Sequence, residues 1–547
     1  MSKISQEFLT SAIREFERYR GDKKALNDRV RENDYWYKAR YGKLINQSSG
    51  ETQPVTAFIF SAIENKYADA VDSYPQPNIL ERAPKDIYLA KILSSIVPAQ
   101  LEISDFKSAY KINWRRKLKH GTAIYGVFYS GGEIVIKPVS ILNVYCDMHT
   151  PDVQDSRFLF ITNAVDNEQL RREYPEHKEK FSGNTTVEGF EGTHEMTDKT
   201  EIVDCYYKKD GRVECMKLCA NEIIASTEDD DYPDGLYAHG KYPVVFDTLY
   251  PEEDCPFGFG IIDVAKNPQV YIDRLDGAII KNSILSSKLR FMIKDNGSVN
   301  ENEVLDYDND IIHVAGSVDT DSIRELRVSG LSNEVMTHRT KKIDELKEVI
   351  GNRDFQQGGT NNGVTAASAI TVLQEAGSKL SRAMIDDSYD SFRKIVVMVI
   401  ELMREFFTDD RIYRVADEAG GDKYVSFPGK AFSDGGFSAD SWKTGEPVEL
   451  DISVVPQKKN PFQREANNKT IMELWKAGFF EAQNINSALI AIQTMTFDGK
   501  DKVTALLKDM QTNSMQQGAA AQPGAAQTGV PAGYVNVNQA VNSMGGM

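Results

Sequence analysis

The side chains whose types and spacing could do chemistry are carboxylates in short runs, Asp229-Asp230-Asp231 and Glu252-Glu253-Asp254. Clustered carboxylates are hard oxygen donors and could hold a divalent ion for metal-assisted hydrolysis. Solvated acidic turns are the preferred reading. Cys215 and Cys219 flank Met-Lys-Leu in an expected strand, where a spacing of four puts both on one face. No cysteine pair has the Cys-x-x-Cys spacing of a zinc ribbon or redox motif, so ordinary reduced thiols fit better than a metal pair. His194-Glu195 lacks a second histidine four residues on, and the seven histidines are scattered along the chain. There is no Gly-x-x-x-x-Gly-Lys-Ser/Thr loop and no Gly-x-Ser-x-Gly elbow. The stretch Gln357 to Gly363 is glycine-rich but has no lysine to reach a terminal phosphate. These residues support no catalytic centre, no metal site and no cofactor.

Binding is more legible than catalysis. Lys111, Arg115, Arg116, Lys117 and Lys119, with Trp114 among them, form the densest basic cluster. They could face nucleic acid or a capsid, although a solvated helix face over a buried tryptophan is preferred. From Asp295 to Asp321 there are eight acidic residues, Asp306, Asp308 and Asp310 among them, and no Lys or Arg. The loop from Gly351 to Gly363 is polar, and at about thirteen residues it is long for a helix–helix connection. Its Gln356, Gln357, Asn361 and Asn362 can hydrogen-bond phosphates without charge, and Arg353 and Asp354 could pair or touch a DNA backbone.

Three helices must position these groups. Tyr271, Leu275, Ala278, Leu285 and Leu289 recur at helical spacing and predict a helix over 262–289. Met336, Ile343, Leu346 and Ile350 predict another over 333–350, ended by Gly351 in a left-handed cap. A third, from about 366 to 407, would be about 60 Å long. Its small and apolar stripe at 366, 370, 373, 377, 380, 384, 395, 399, 402 and 406 reads as packing core. So long a helix needs neighbours along its whole length, which a ring of subunits supplies.

The rest of the chain reads as α+β. Residues 1–50 are expected to be helical and charged. A helix over 54–73 should end at Tyr74-Pro75-Gln76-Pro77, and 85–120 should be helical again. From Gly121 the period becomes two: a hairpin over 122–138 around Gly131-Gly132, strands at 144–147 and 158–164, and a second hairpin around Asp210-Gly211. Residues 182–200 read as an exposed loop, 410–455 as short strands, and 461–510 as helix. Residues 511–547 carry no charge and are expected to be disordered. With 547 residues, two to four domains are expected. A net charge of −17 argues against a sequence-independent DNA binder with a basic surface. No signal peptide or membrane-spanning run is visible.

The order and spacing of these pieces resemble the portal proteins of tailed bacteriophages over roughly residues 30–510. The resemblance rests on His120-Gly-Thr-Ala-Ile-Tyr-Gly-Val-Phe-Tyr129, on Pro138–Asp147 followed by Asp152–Phe160, on Pro256-Phe-Gly-Phe-Gly260 with Asn267-Pro-Gln269, and on Thr365-Ala-Ala-Ser-Ala opening the long helix. It implies a structural protein without enzymatic activity, in a homo-oligomeric ring, usually a dodecamer, around a double-stranded DNA channel. Residues 1–258 would be the wing, 259–289 and 331–351 the stem helices, and 290–330 the clip. Residues 352–364 would be the tunnel loop, 365–460 the long helix with further wing strands, 461–510 a helical crown and 511–547 the tail. The acidic clip residues would dock a motor or adaptor, and the loop residues would face DNA. Implied partners are the terminase large subunit, a tail adaptor or head-completion protein, and the major capsid and scaffolding proteins. The crown is short, and the uncharged tail has no counterpart in this pattern. The rival readings are a metal-dependent nuclease and another tail or baseplate adaptor.

Overall fold

The computed structural model describes residues 3–41, 54–82, 87–181, 185–189, 192–230, 232, 235–287, 291–293, 323–325, 331–351, 379–416, 422–429, 450–458, 461–476, 489–492, 495, 503–504 and 506–507. The architecture is mixed α+β. Helix α1 (Gln6–Asp22) starts at Ser5, whose hydroxyl accepts from the Phe8 N–H at 3.2 Å. Its Leu9, Ala12, Phe16 and Tyr19 lie on one stripe and pack on a five-stranded sheet. That sheet has the order β10-β9-β8-β5-β4, with β4 Val144–Tyr145, β5 Phe158–Asp166, β8 Lys199–Lys209, β9 Arg212–Cys219 and β10 Glu222–Ser226. Phe158 and Phe160 of β5 face α1, while Leu159 and Ile161 face the main core. Two covered faces explain the uninterrupted apolar run in that strand.

The main core gathers around α5 (Phe106–His120). Helices α2 (Lys24–Tyr37), α3 (Phe58–Asp72), α4 (Ile87–Ile103) and α9 (Lys379–Phe406) contribute to it, as does the sheet β11-β2-β3 (Val244–Thr248, Thr122–Ser130, Glu133–Val139). The helical stretch expected over 85–120 is made of two helices, because Asp105 sits at φ 51° and turns the chain between α4 and α5. On α9, Met384, Ile395, Val399 and Leu402 are buried, as the stripe predicts.

Two expectations need correction. The stretch Tyr74-Pro75-Gln76-Pro77 is not only a helix terminus: Ser73–Glu81 is strand β1, antiparallel to β18 (Leu450–Lys458). The Ile79 N–H points away from β18 and donates to Ser94 Oγ on α4 at 3.1 Å. Pro75 and Pro77 share that parity, so the missing proline N–H groups cost no ladder bond. Residues 182–200 hold more than a loop, since β6 (Thr185–Gly189) and β7 (Gly192–Met196) form a hairpin.

Candidate functional site

Helix α5 is the hub, and its basic residues point to different partners. Arg115 donates two bonds of 3.1 Å to Glu64 on α3 and lies 3.8 Å from the Tyr67 ring centroid. Arg116 donates to the Val139 carbonyl at 2.9 Å, and burial pulls its pKa down. Lys117, with a side chain 0% exposed, pairs with Asp247 at 2.6 Å and donates to Ser388 on α9 at 2.5 Å. Lys119 pairs with Asp34 on α2 at 3.1 Å. Burial lowers the Lys119 pKa, and Asp34 partly opposes that. Trp114 is buried, and Lys111 stays at the surface. Four of the five cations therefore tie α5 to α2, α3, β3, β11 and α9. A sequence cannot show this, because the acceptors lie up to 271 positions away.

The segments His120-Gly121 and Gly258-Phe-Gly260 touch backbone to backbone. Gly121 has φ +88°, and a Cβ there would strike the Phe259 main chain. A Cβ on Gly258 would strike the Tyr250 carbonyl oxygen, and one on Gly260 would meet the Lys119 oxygen. This contact launches α7 (Ile261–Ser287) from the core.

Helices α7 and α8 (Asn333–Ile350) form an antiparallel pair. Arg339 holds Asp276 through two nitrogens, one at 3.2 Å, and the Lys342 ammonium lies 5.8 Å from the Tyr271 ring centroid. As residue numbers rise on α8 they fall on α7, which fixes the direction. At the far end β14 (Phe291–Ile293) pairs with β15 (Ile323–Glu325). Gly351 caps α8 at φ 70°, as expected. Buried residues on α7 stop at Asp276, and only Leu346 and Ile350 are buried on α8. Tyr271, Ile280, Ile284, Met336 and Val349 are exposed.

Of the other candidate residues, Asp306, Asp308, Asp310, Arg353, Asp354, Gln356, Gln357, Asn361 and Asn362 lie outside the described residues. Glu252 of the second acidic run pairs with Arg29 at 2.7 Å. Among the described residues no group of three His, Cys, Asp or Glu could hold a metal ion. Cys215 and Cys219 are free and buried, and burial raises both thiol pKa values. No helix among the described residues is long and apolar enough to cross a membrane.

A family model described as phage P22-like portal protein matches residues 67–244 and 293–540, more than half of the chain. No curated protein matches it. The second range runs to residue 540 and so takes in most of the uncharged tail. The range between, 245–292, holds most of β11 and all of α7.

Proposed function

The chain belongs to the phage P22-like portal protein family, and on that premise we propose how its parts divide the work. Portal proteins are structural, not enzymatic: they form a ring at one capsid vertex of the virion, and DNA passes through it. Helices α7 and α8 serve as the stem, the body around α5 with the five-stranded sheet as the wing, and the insert around β14 and β15 as the clip. The segment 352–364 is the tunnel loop, and 461–510 the crown. The observation that carries this division is the antiparallel pair α7/α8, which brackets a β insert and leaves Tyr271, Ile280, Ile284 and Met336 uncovered in one subunit. A neighbouring copy in a ring, usually of twelve, covers them.

The charge distribution fits passage without adhesion. Each phosphate neutralised by a lysine or arginine adds salt-dependent affinity, which opposes sliding. The net charge of −17 per copy and the internal commitment of the α5 cations both keep that term small. In this reading Asp306, Asp308 and Asp310 dock basic surfaces of the terminase large subunit or the tail adaptor. Arg353, Asp354, Gln356, Gln357, Asn361 and Asn362 meet the passing duplex. Major capsid and scaffolding proteins contact the wing, where Lys111 is the cluster member left at the surface.

Negative-stain electron microscopy with native mass spectrometry tests the reading. Closed rings of about twelve subunits with a central hole are expected. A species that stays monomeric even with scaffolding protein present would overturn it.

A further inference from the structure

Helix α3 meets the stem pair and the long helix through two buried charged groups of opposite sign. Just before α3, Thr56 donates its N–H at 3.0 Å and its hydroxyl at 2.6 Å to Asp273 Oδ1 of α7. Tyr41 donates to Asp273 Oδ2 at 2.5 Å, and Gln269 donates to Oδ1 at 3.1 Å and to the Thr56 carbonyl at 2.6 Å. The start of α3 is thereby bolted to α7. At the middle of α3, Lys66 donates to the Gly351 carbonyl at 3.0 Å and to Ser381 Oγ at 2.8 Å. Ser381 donates in turn to Asp69 Oδ2 at 2.9 Å. Gly351 ends α8, and Ser381 stands in the first described turn of α9. Asp273 and Lys66 are each 3% exposed.

Burying a lone charge costs several kcal/mol unless its bonds are well placed. An apolar residue at 66 would pack α3 without that cost. A lysine has three N–H donors on one nitrogen and can hold separate acceptors at a fixed separation. Here the acceptors belong to the end of one helix and the start of another.

We propose that α3 is a strut that couples the stem to the long helix, with Asp273 and Lys66 as its positioning residues. Asp273 fixes α7 to the start of α3, and Lys66 fixes the end of α8 and the start of α9 to its middle. The three helices then shift together when DNA passes; this last clause rests on the portal reading.

Hydrogen exchange on the assembled full-length protein tests the coupling. Lys66→Met keeps the apolar stem and removes the donors. It is expected to speed exchange on the order of tenfold both in the last turn of α8 and in the first turns of α9, with α5 unchanged. Lys66→Arg, which keeps charge and donors, should restore most of the protection. Faster exchange at one end alone, or equally throughout α5, would overturn the strut. Ser381→Ala is the second variant if Lys66→Met does not fold; it should loosen the start of α9 and spare α8, and an unchanged α9 would count against the proposal. Packaging of DNA by closed Lys66→Met rings reads the functional clause. Reduced packaging supports it, and normal packaging with altered exchange overturns that clause alone. Failure of the wild-type chain to form rings would instead count against the portal reading.

Discussion

The body around α5 and the pair α7/α8 solve opposite problems. Eight side chains of the fifteen-residue α5 are buried, including Lys117 and His120, whereas only two of the eighteen residues of α8 are. In the body four of the five cations of the α5 cluster are consumed inside the subunit. Along the outer part of α7, Ile280 and Ile284 are about half exposed, at 46% and 50%, and they stand one turn apart. The body is a fold that a single chain can complete. The pair is a surface awaiting another copy, because isolated helices gain most of their stability from a buried face.

Substitutions can break this contrast at either side. The largest effect is expected inside the body: Asp247→Ala strands the buried Lys117 ammonium and should cost about 3–5 kcal/mol in urea unfolding. Replacing Lys117 and Asp247 together by apolar residues should recover most of that loss. At the pair, Ile280→Asp with Ile284→Asp should leave body stability within about 0.5 kcal/mol. Yet a cost of about 2 kcal/mol per residue at a subunit contact raises the concentration needed for ring assembly more than tenfold, which native mass spectrometry would read. Arg339→Met removes both hydrogen bonds to Asp276 and should cost about 1–2 kcal/mol, seen as lost helical circular dichroism before the main transition.

A last effect, confined to acid pH, sharpens the comparison. His239, stacked on Tyr237 in the body, has its pKa pulled down to about 4, chiefly by burial and then by Lys241 and Arg404. An unfolded histidine titrates near 6.5, so as pH falls the unfolded chain takes up the proton first. The stability His239 contributes at neutral pH is therefore lost as pH drops from 6.5 through 4. His239→Gln should flatten that limb by about 1–2 kcal/mol in thermal melts, without changing ring assembly at pH 7.

Local signals were legible, and long-range ones were not. Apolar spacing and Gly351 located α8 to the residue, and the turns Gly131-Gly132 and Asp210-Gly211 located two hairpins. The glycines of His120-Gly121 and Gly258-Phe-Gly260 marked a real place, but only the fold shows that they touch each other. Strand β1 went unread because its partner β18 lies far along the chain and its prolines mimic a linker. The α5 cluster looked like a surface patch because sequence shows the cations and not Glu64, Asp34 and Asp247 beside them. Lys66 and Asp273 gave no signal at all: each is one of several charges in an ordinary amphipathic helix.

The β1–β18 pairing also sets a timetable for the growing chain. β1 leaves the ribosome more than 360 residues before β18, and at roughly 5–20 residues per second that is a wait on the order of tens of seconds. One edge of β1 is shut from the outset, since Pro75 and Pro77 offer no donors there and α4, which follows at once, supplies Ser94 to Ile79. The other edge stays open to any passing strand until 450–458 arrives. The subunit closes this seam late in synthesis, after α7, α8 and α9 have already been made, so a chain cut short before β18 is left with an adhesive edge instead of a closed body.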